Sequence, residues 1–291
     1  MKAAPFDYVR VSRFEEVGEV IAAYGDDAQV IAGGQSLIPA MAMRMARPRV
    51  LIDIARLPGL SEIRLEGDAL QIGALVRYFE LQASPLVAAH APLVRDAVPL
   101  IAHEAIRSRG TLGGNLAHAD PASEMPAVML ALDATIVVKG PDGERRIAAA
   151  DFFLGTYTVD LELGEIITAV SIPRAPSGRL HAIDELVRRA GDYAAVGGAF
   201  VLDVADGVVT DARLAVFAVC DRPLLAIAAA GRLRGQPVDA LELAAALDAL
   251  ADEIEPMADL HNQAATKRHL LRVLTDRLLR GLAGAGGAAH G

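Results

Sequence analysis

Two diglycine segments, each placed before a helix-forming run, constrain this chain more than any other feature. The first is VIAGGQSLIPAM over residues 30–41, and the second is RGTLGGNLAHADPASE over residues 109–124. Glycine loses more conformational freedom on folding than other residues, so glycine pairs between ordered elements indicate a tight turn or a close backbone approach. Free amides at the start of a helix suit a phosphate group, and Ser36 and Thr111 add hydroxyl donors.

The two loops also have a simpler explanation when each is taken alone. Neither contains the G-x-x-x-x-G-K-[ST] phosphate motif or the G-x-G-x-x-G dinucleotide motif. Glycine is common in turns, so a single loop is equally well explained as a strand-to-helix turn. Two such loops, each with its own polar residues, favour one long, bent ligand held at two places.

Composition excludes several classes of function. The 291 residues carry a net charge of -9 without a basic block, which argues against nucleic acid as a partner. The N-terminus lacks an apolar export region, and no apolar run is long enough for a membrane span, so we expect a cytoplasmic location. Cys220 is the only cysteine, which excludes an iron–sulfur cluster held by this chain alone. No spacing typical of a metal site or a catalytic triad is present.

The pattern of apolar residues predicts alternating helices and strands, with boundaries near residues 57 and 177. A capping box of Ser12 and Glu15 predicts a helix over 13–24. Hairpin turns are expected at Gly67-Asp68 and over 141–143. Further helices are expected over 76–84, 91–107 and 122–132, from about Tyr193, and over 238–250 and 263–283.

At the residue level, AGGQSLIPAM and IRSRGTLGGNLAHADPASEMPAVMLALDA resemble the FAD-binding medium subunits of bacterial molybdenum hydroxylases. These include the carbon monoxide dehydrogenase and nicotine dehydrogenase types, and the family also provides the flavin domain of xanthine dehydrogenase. A strand ending in SIP at residue 173 and RRAGDYAAVGGAF over 188–200 extend the resemblance over nearly the whole chain.

The resemblance implies an α+β chain built on a p-cresol methylhydroxylase-type FAD-binding domain. Two α/β subdomains, over residues 1–57 and 58–176, would hold FAD between them. A C-terminal α/β domain of the carbon monoxide dehydrogenase flavoprotein type would cover residues 177–285. The glycine-rich tail over 286–291 is expected to be disordered.

The resemblance also implies which residues bind the cofactor. From the first loop these are Ala32, Gly33, Gly34, Gln35, Ser36 and Leu37. From the second loop they are Thr111, Gly114, Asn115, Ala119, Asp120 and Pro121. Ile101, Ala102 and Leu161 match positions beside the flavin. Tyr193 matches a position near the isoalloxazine ring, although a core aromatic at a helix start explains it equally well.

One departure from the family pattern affects charge. Asp184 and Glu185 stand where many relatives carry a lysine a few residues before the arginine pair. If that lysine supports the negative charge of a reduced flavin, an acidic replacement would lower the flavin potential or change the choice of acceptor.

In such a family this chain would be the subunit of a larger complex from which electrons leave for the external acceptor. A large subunit would hold the molybdenum cofactor, a small subunit would hold two 2Fe-2S clusters, and a dimer of heterotrimers is expected. FAD would receive the electrons and pass them to an external acceptor, so no catalytic side chain and no metal ligand are predicted here. The alternatives are a free-standing flavin oxidoreductase of the vanillyl-alcohol oxidase type and a scaffold subunit that has lost its flavin.

Overall fold

The computed structural model describes the backbone of residues 2–290 and the side chains of residues 2–286. Its strands form sheets of three, five and four strands, together with a two-stranded ribbon. Within the described residues, no helix combines the length and the apolar character that a membrane crossing requires.

The N-terminal part is a small parallel sheet against which a helix packs. The central strand, β3 (Val50–Asp53), lies between β1 (Asp7–Arg10) and β2 (Ala28–Ile31), and all four of its residues are buried. A central parallel strand has both faces covered and therefore needs a nearly continuous apolar run. The elements are β1 (Asp7–Arg10), α1 (Phe14–Tyr24), β2 (Ala28–Ile31), α2 (Leu37–Ala42) and β3 (Val50–Asp53).

The middle part is an antiparallel sheet with the strand order β4-β5-β10-β6-β7. Its two hairpins turn where the sequence predicts, at Gly67-Asp68 and around Pro141 and Asp142. The strands are β4 (Ile63–Glu66), β5 (Ala69–Gly73), β6 (Thr135–Gly140), β7 (Gly143–Ala148) and β10 (Ile166–Pro173). A ribbon of β8 (Phe153–Gly155) and β9 (Thr158–Val159) precedes β10.

Seven short helices accompany this sheet in the described chain. They are α3 (Tyr78–Ala83), α4 (Pro85–His90), α5 (Pro92–Ala97), α6 (Glu104–Arg107), α7 (Leu112–His118), α8 (Glu124–Ala131) and α9 (Ala149–Phe152). The continuous helix predicted over 91–107 is wrong. A 3-10 turn at Val98–Leu100 follows α5, and Ala102 takes a left-handed φ of 40° before α6 begins.

The C-terminal part is an antiparallel sheet covered by the last helix. Its elements are β11 (Arg179–Leu186), β12 (Val196–Ala205), β13 (Val208–Phe217), β14 (Leu224–Leu225), α10 (Ile227–Gly231), α11 (Leu243–Glu253) and α12 (Ala264–His290). The helix predicted from Tyr193 is wrong, because the amide of Ala195 donates to the carbonyl of Leu186 and β12 begins at Val196. A Cβ at Gly197 would lie 2.1 Å from the ring of Phe217, so this strand position requires glycine.

The three sheets fall within residues 1–57, 58–176 and 177–285, and the domain boundaries themselves stay predictions. Apolar packing crosses both boundaries: Ile166 joins the N-terminal core, and Phe217 joins the core of the middle part. The tail predicted to be disordered from residue 286 continues α12 as far as His290. Alanine is a strong helix former and is frequent there, while Gly291 lies outside the described residues.

Candidate functional site

The two diglycine loops meet at one cleft of about 690 Å³ between the N-terminal and middle parts. A Cβ at Gly33 would lie 2.3 Å from the carbonyl oxygen of Arg109, so the loops touch through bare backbone. Pockets of this size accommodate cofactors. The sequence predicts one ligand held at two places, and the two loops do lie together at a single cleft.

The first loop presents unused backbone donors to the cleft. Within the described residues, the amides of Gly33, Gly34 and Gln35 donate to no protein acceptor. Gly34 has a φ of 69°, a conformation that favours glycine, and the hydroxyl of Ser36 makes no capping bond to α2. Successive free amides beside a hydroxyl suit an anionic oxygen such as that of a pyrophosphate.

The second loop differs from the expectation, since most of its amides already have protein acceptors. Leu112 donates to the carbonyl of Val76, and Gly113 donates to the carbonyl of Ala74 at 2.8 Å. The amide of Gly114 donates to the hydroxyl of Thr111, which caps α7. The second loop therefore contributes shape and side chains to the cleft, while the first contributes the amides.

The polar side chains after the second loop hold one another in place. Asn115 and Ser123 are joined by hydrogen bonds of 2.7 and 2.9 Å. Asp120 accepts from the amide of Ala122 at 2.9 Å, which fixes the turn into α8. These groups face the cleft in defined orientations, as hydrogen-bonding partners of a polar ligand must.

The predicted site residues divide into two sets. Those that line the cleft are Ala32, Gly33, Gly34, Gln35, Ser36, Leu37, Ile101, Ala102, Thr111, Gly114, Asn115, Asp120, Leu161 and Tyr193. Ala119 and Pro121 do not line it. The carbonyl of Ala119 accepts from the amide of Tyr157, and the carbonyl of Pro121 accepts from the amide of Ala218. Both therefore anchor the neighbouring chain, and any contact with a ligand stays a prediction.

Ile101 and Ala102 reach the cleft because the helix breaks there. The guanidinium of Arg107 donates to both of their carbonyls, at 2.8 and 2.9 Å. These bonds stabilise the left-handed conformation of Ala102, which is unfavourable for a residue with a Cβ. Because the helix is interrupted here, the apolar residues Ile101 and Ala102 line the cleft.

An aromatic cluster forms one side of the opening. The rings of His118 and Tyr157 lie 4.9 Å apart, and the Tyr157 hydroxyl donates to Asp120 at 3.4 Å. Burial lowers the pKa of His118, which favours the neutral form of its ring. Tyr193 lies at the same cleft and is 70% exposed, which does not support its alternative explanation as a core aromatic.

Sequence reasoning missed two buried polar groups at the cleft. Glu124, the first residue of α8, is 9% exposed, and burial raises its pKa to about 7, with Asp120 adding to the rise. The hydroxyl of Tyr78 is buried, and no described residue forms a hydrogen bond with it. Both residues line the cleft. The sequence EMPAVMLA is apolar around its first residue, Glu124, and such a sequence is typical of a buried helix. This pattern could have indicated that Glu124 is buried.

Asp184 and Glu185 do not behave as a pair of negative charges. Asp184 is partly exposed and accepts from Arg277 at 2.6 Å. Glu185 is 9% exposed, and burial raises its pKa to about 8, with Glu124 and Asp184 contributing further. Two adjacent negative charges were expected to lower the flavin potential. This effect therefore requires a pH at which Glu185 is ionised.

The cleft fits a dinucleotide cofactor of the FAD kind. Free amides and Ser36 suit its pyrophosphate, the Asn115 region suits its hydroxyls, and the apolar stretch at Ile101 suits a ring. In the described part of the chain, no group of three or more histidine, cysteine, aspartate or glutamate side chains is arranged to hold a metal ion. Fold and cleft together define a flavoprotein domain.

Comparison with known proteins identifies the family. Residues 4–175 match the FAD binding domain in molybdopterin dehydrogenase, and residues 181–282 match the CO dehydrogenase flavoprotein C-terminal domain. The chain therefore belongs to the family of FAD-binding medium subunits of molybdenum hydroxylases. The predicted fold class is confirmed.

Individual relatives cover nearly the whole chain. It is 37% identical to subunit alpha of the 6-hydroxypseudooxynicotine dehydrogenase complex of Paenarthrobacter nicotinovorans, over 96% of this chain and 95% of the relative. The structure of carbon monoxide dehydrogenase from Hydrogenophaga pseudoflava lacking the Mo-pyranopterin moiety superposes with a TM-score of 0.94 at 38% identity, covering 98% and 99% of the two chains. Quinoline 2-oxidoreductase from Pseudomonas putida 86 gives 0.91 at 36% identity, over 98% and 99%.

Proposed function

We propose that this chain is the flavin-carrying outlet of a multi-subunit molybdenum hydroxylase. A large subunit holds the molybdenum cofactor, a small subunit supplies electrons from 2Fe-2S clusters, and the complex is a dimer of heterotrimers. The relatives whose names describe subunits or medium chains of dehydrogenases support this assignment. A cytoplasmic location is part of the proposal and rests on the sequence prediction.

The observation that carries the proposal is the touching pair of glycine loops at one cleft. We assign the pyrophosphate of FAD to the amides of Gly33, Gly34 and Gln35 and to Ser36. Asn115 and Asp120 take hydroxyl groups of the ribityl chain or ribose, because a carboxylate would repel a phosphate. Ile101, Ala102 and Leu161 pack beside the ring system, and Tyr193 lies at the exposed opening.

The chemistry that bound FAD supplies is the acceptance and release of electrons. The chain's own residues bind and orient the cofactor, and the partly enclosed cleft limits the access of water. The relatives named as a subunit of a dehydrogenase complex and as a medium chain favour electron transfer within a complex over a free-standing oxidase.

The experiment is co-expression with the two partner subunits, followed by purification through a tag on this chain. We expect copurification of both partners, flavin absorbance, and bleaching of the flavin when the substrate of the complex is added anaerobically. A yellow chain that purifies alone and oxidises a substrate would establish the free-standing flavoenzyme instead. A colourless chain that takes up no added FAD would establish the scaffold.

A further inference from the structure

We propose that Glu124 and Glu185 form a buried carboxyl pair that holds a proton behind the cleft and makes FAD retention depend on pH. The inference rests on the proposed function, since it requires FAD to occupy this cleft. Glu124 belongs to the wall of the cleft rather than to the glycine loops. Neither carboxyl group takes part in electron transfer as proposed above.

The position of Glu124 ties the pair to the ligand. It begins α8, a helix whose eight residues are all buried, and its side chain also lines the cleft. No side-chain donor among the described residues reaches its carboxyl group, although its own backbone amide does. A carboxylate in this position would stand unneutralised beside an anionic cofactor, which is costly at low dielectric.

Glu185 is the second carboxyl group of the pair. It lies on β11 opposite Gly197 of β12, and its buried Oε2 atom has no hydrogen-bond partner in the part of the chain that the structure describes. Glu124 and Glu185 act on each other as like charges, so ionisation of one opposes ionisation of the other. A protonated carboxyl group removes the cost of an isolated buried charge.

The surrounding charges reinforce this effect. The charge of Asp120 raises the pKa of Glu124, and the charge of Asp184 raises the pKa of Glu185, so both neighbours favour the protonated forms. Tyr78 and Tyr193 also face Glu124, and burial raises the pKa of Tyr78 far above neutrality. The basic side chains on the adjacent elements contact other groups: Arg107, His181, Arg213, Lys267 and Arg277.

Linkage converts this arrangement into a pH dependence of binding. FAD carries negative charge and covers Glu124, so bound FAD raises the pKa of the pair further. By reciprocity, ionisation of the pair weakens FAD binding, about tenfold for each unit of that rise. The sign is fixed: affinity is high where the pair is protonated and falls as the pH increases through the range near 7 to 8 in which it ionises.

The test is the dissociation constant of FAD for the full chain, measured by flavin fluorescence from about pH 6 to about pH 9 at constant ionic strength. We expect wild-type affinity to fall about tenfold over this range. In Glu185→Gln the fall should be clearly smaller, because only Glu124 remains to titrate. Asp184→Asn is the matched control: it removes a neighbouring carboxylate that is paired with Arg277 and leaves both glutamates in place. Its affinity should fall by about as much as that of the wild type, at a slightly lower pH, because Asp184 contributes to the raised pKa of Glu185.

The outcomes separate the two proposals. A flat wild-type profile with tight FAD binding would overturn the proton-linked pair and leave the cofactor assignment intact. No FAD binding at any pH, in a chain shown to be folded by circular dichroism, would overturn the proposed function itself. If Glu185→Gln fails to fold, Glu124→Gln provides the second variant, with the same reduced pH dependence expected.

Discussion

At the residue scale, Gly33 determines how closely the two loops approach. A Cβ there would lie 2.3 Å from the carbonyl oxygen of Arg109 and 3.1 Å from the Cα of Gly110. Both contacts are with backbone, which cannot rotate away as a flexible side chain can. The cleft therefore depends on glycine at this position for steric reasons, although its backbone φ is not left-handed.

Replacement of Gly33 by valine should separate the loops and weaken FAD binding by more than about tenfold, a loss above about 1.4 kcal/mol. Fluorescence titration with FAD measures this. Gly18→Ala is the control, since an added Cβ in α1 meets only Pro141 at 3.7 Å and should leave FAD binding unchanged. Wild-type affinity in Gly33→Val would show that FAD does not depend on this contact.

The raised carboxyl pKa values also predict how folding stability depends on pH. A glutamate in the unfolded chain titrates near 4.3, whereas Glu124 and Glu185 hold their protons to about 7 and about 8 in the folded chain. The native state therefore binds more protons between these values, and this contribution to stability is lost as the pH rises through that window.

The FAD-free chain should consequently unfold at a lower temperature near about pH 9 than near about pH 6, other groups being equal. Thermal melts of Glu185→Gln should show a smaller decrease. Melts of Asp184→Asn, which keeps both glutamates, should show a decrease of about the wild-type size, beginning at a slightly lower pH. Identical slopes in the wild type and in Glu185→Gln would mean that Glu185 is ionised in the folded chain throughout this range.

At the element scale, Thr111 connects the second loop to the helix that follows. Its hydroxyl accepts from the amide of Gly114, and this cap fixes the start of α7 beside the cleft. Removal of a capping hydroxyl costs about 1 kcal/mol. Because the loop amides of Leu112 and Gly113 have other acceptors, loss of the cap should loosen the turn without unfolding it.

Thr111→Ala should therefore lower the free energy of unfolding by about 1 kcal/mol and weaken FAD binding in the same variant. Thr111→Ser retains the hydroxyl and should restore both. Urea unfolding and FAD titration provide the two readouts. A serine variant as impaired as the alanine variant would assign the effect to the lost methyl group rather than to the cap.

The sequence predicts the elements of this fold better than their ends. The helix predicted over 13–24 is present as α1, but Glu16 rather than Glu15 accepts from the amides of Ser12 and Arg13. A capping pattern locates a helix start within a residue, and the register depends on the local backbone.

The larger errors came from tertiary contacts that a local pattern does not contain. The predicted helix over 91–107 is interrupted because Arg107 binds the carbonyls at the break. The predicted helix at Tyr193 is absent because the following residues pair between two strands. At the site, the glycine loops are visible as motifs, whereas the burial of Glu124 and Glu185 depends on packing between distant segments.

At the scale of the whole molecule, a series of hydrogen bonds connects the C-terminal part to the cleft. The Nζ atom of Lys267 on α12 lies 2.7 Å from both the carbonyl oxygen of Ala218 and the carboxylate of Asp259. The amide of Ala218 in turn donates to the carbonyl of Pro121, next to Asp120. The last helix thereby supports the turn that follows the second glycine loop.

Lys267→Met should lower the free energy of unfolding by about 1–3 kcal/mol, because it leaves the carbonyl of Ala218 without its donor. Urea unfolding measures the loss. Arg268→Met removes an adjacent cation whose contact, with the carbonyl of Ala251, is longer at 3.3 Å and exposed. That control should change stability by no more than about 0.5 kcal/mol, and equal effects of the two changes would contradict the support assigned to Lys267.

The central claim is that this chain itself holds FAD in the cleft between its two glycine loops. The most direct measurement is the amount and identity of the flavin released on denaturation of the purified chain, after incubation with excess FAD and removal of the unbound cofactor. We expect FAD at about one molecule per chain, and a large loss of it in Gly33→Val. A folded wild-type chain that releases no flavin would contradict the account.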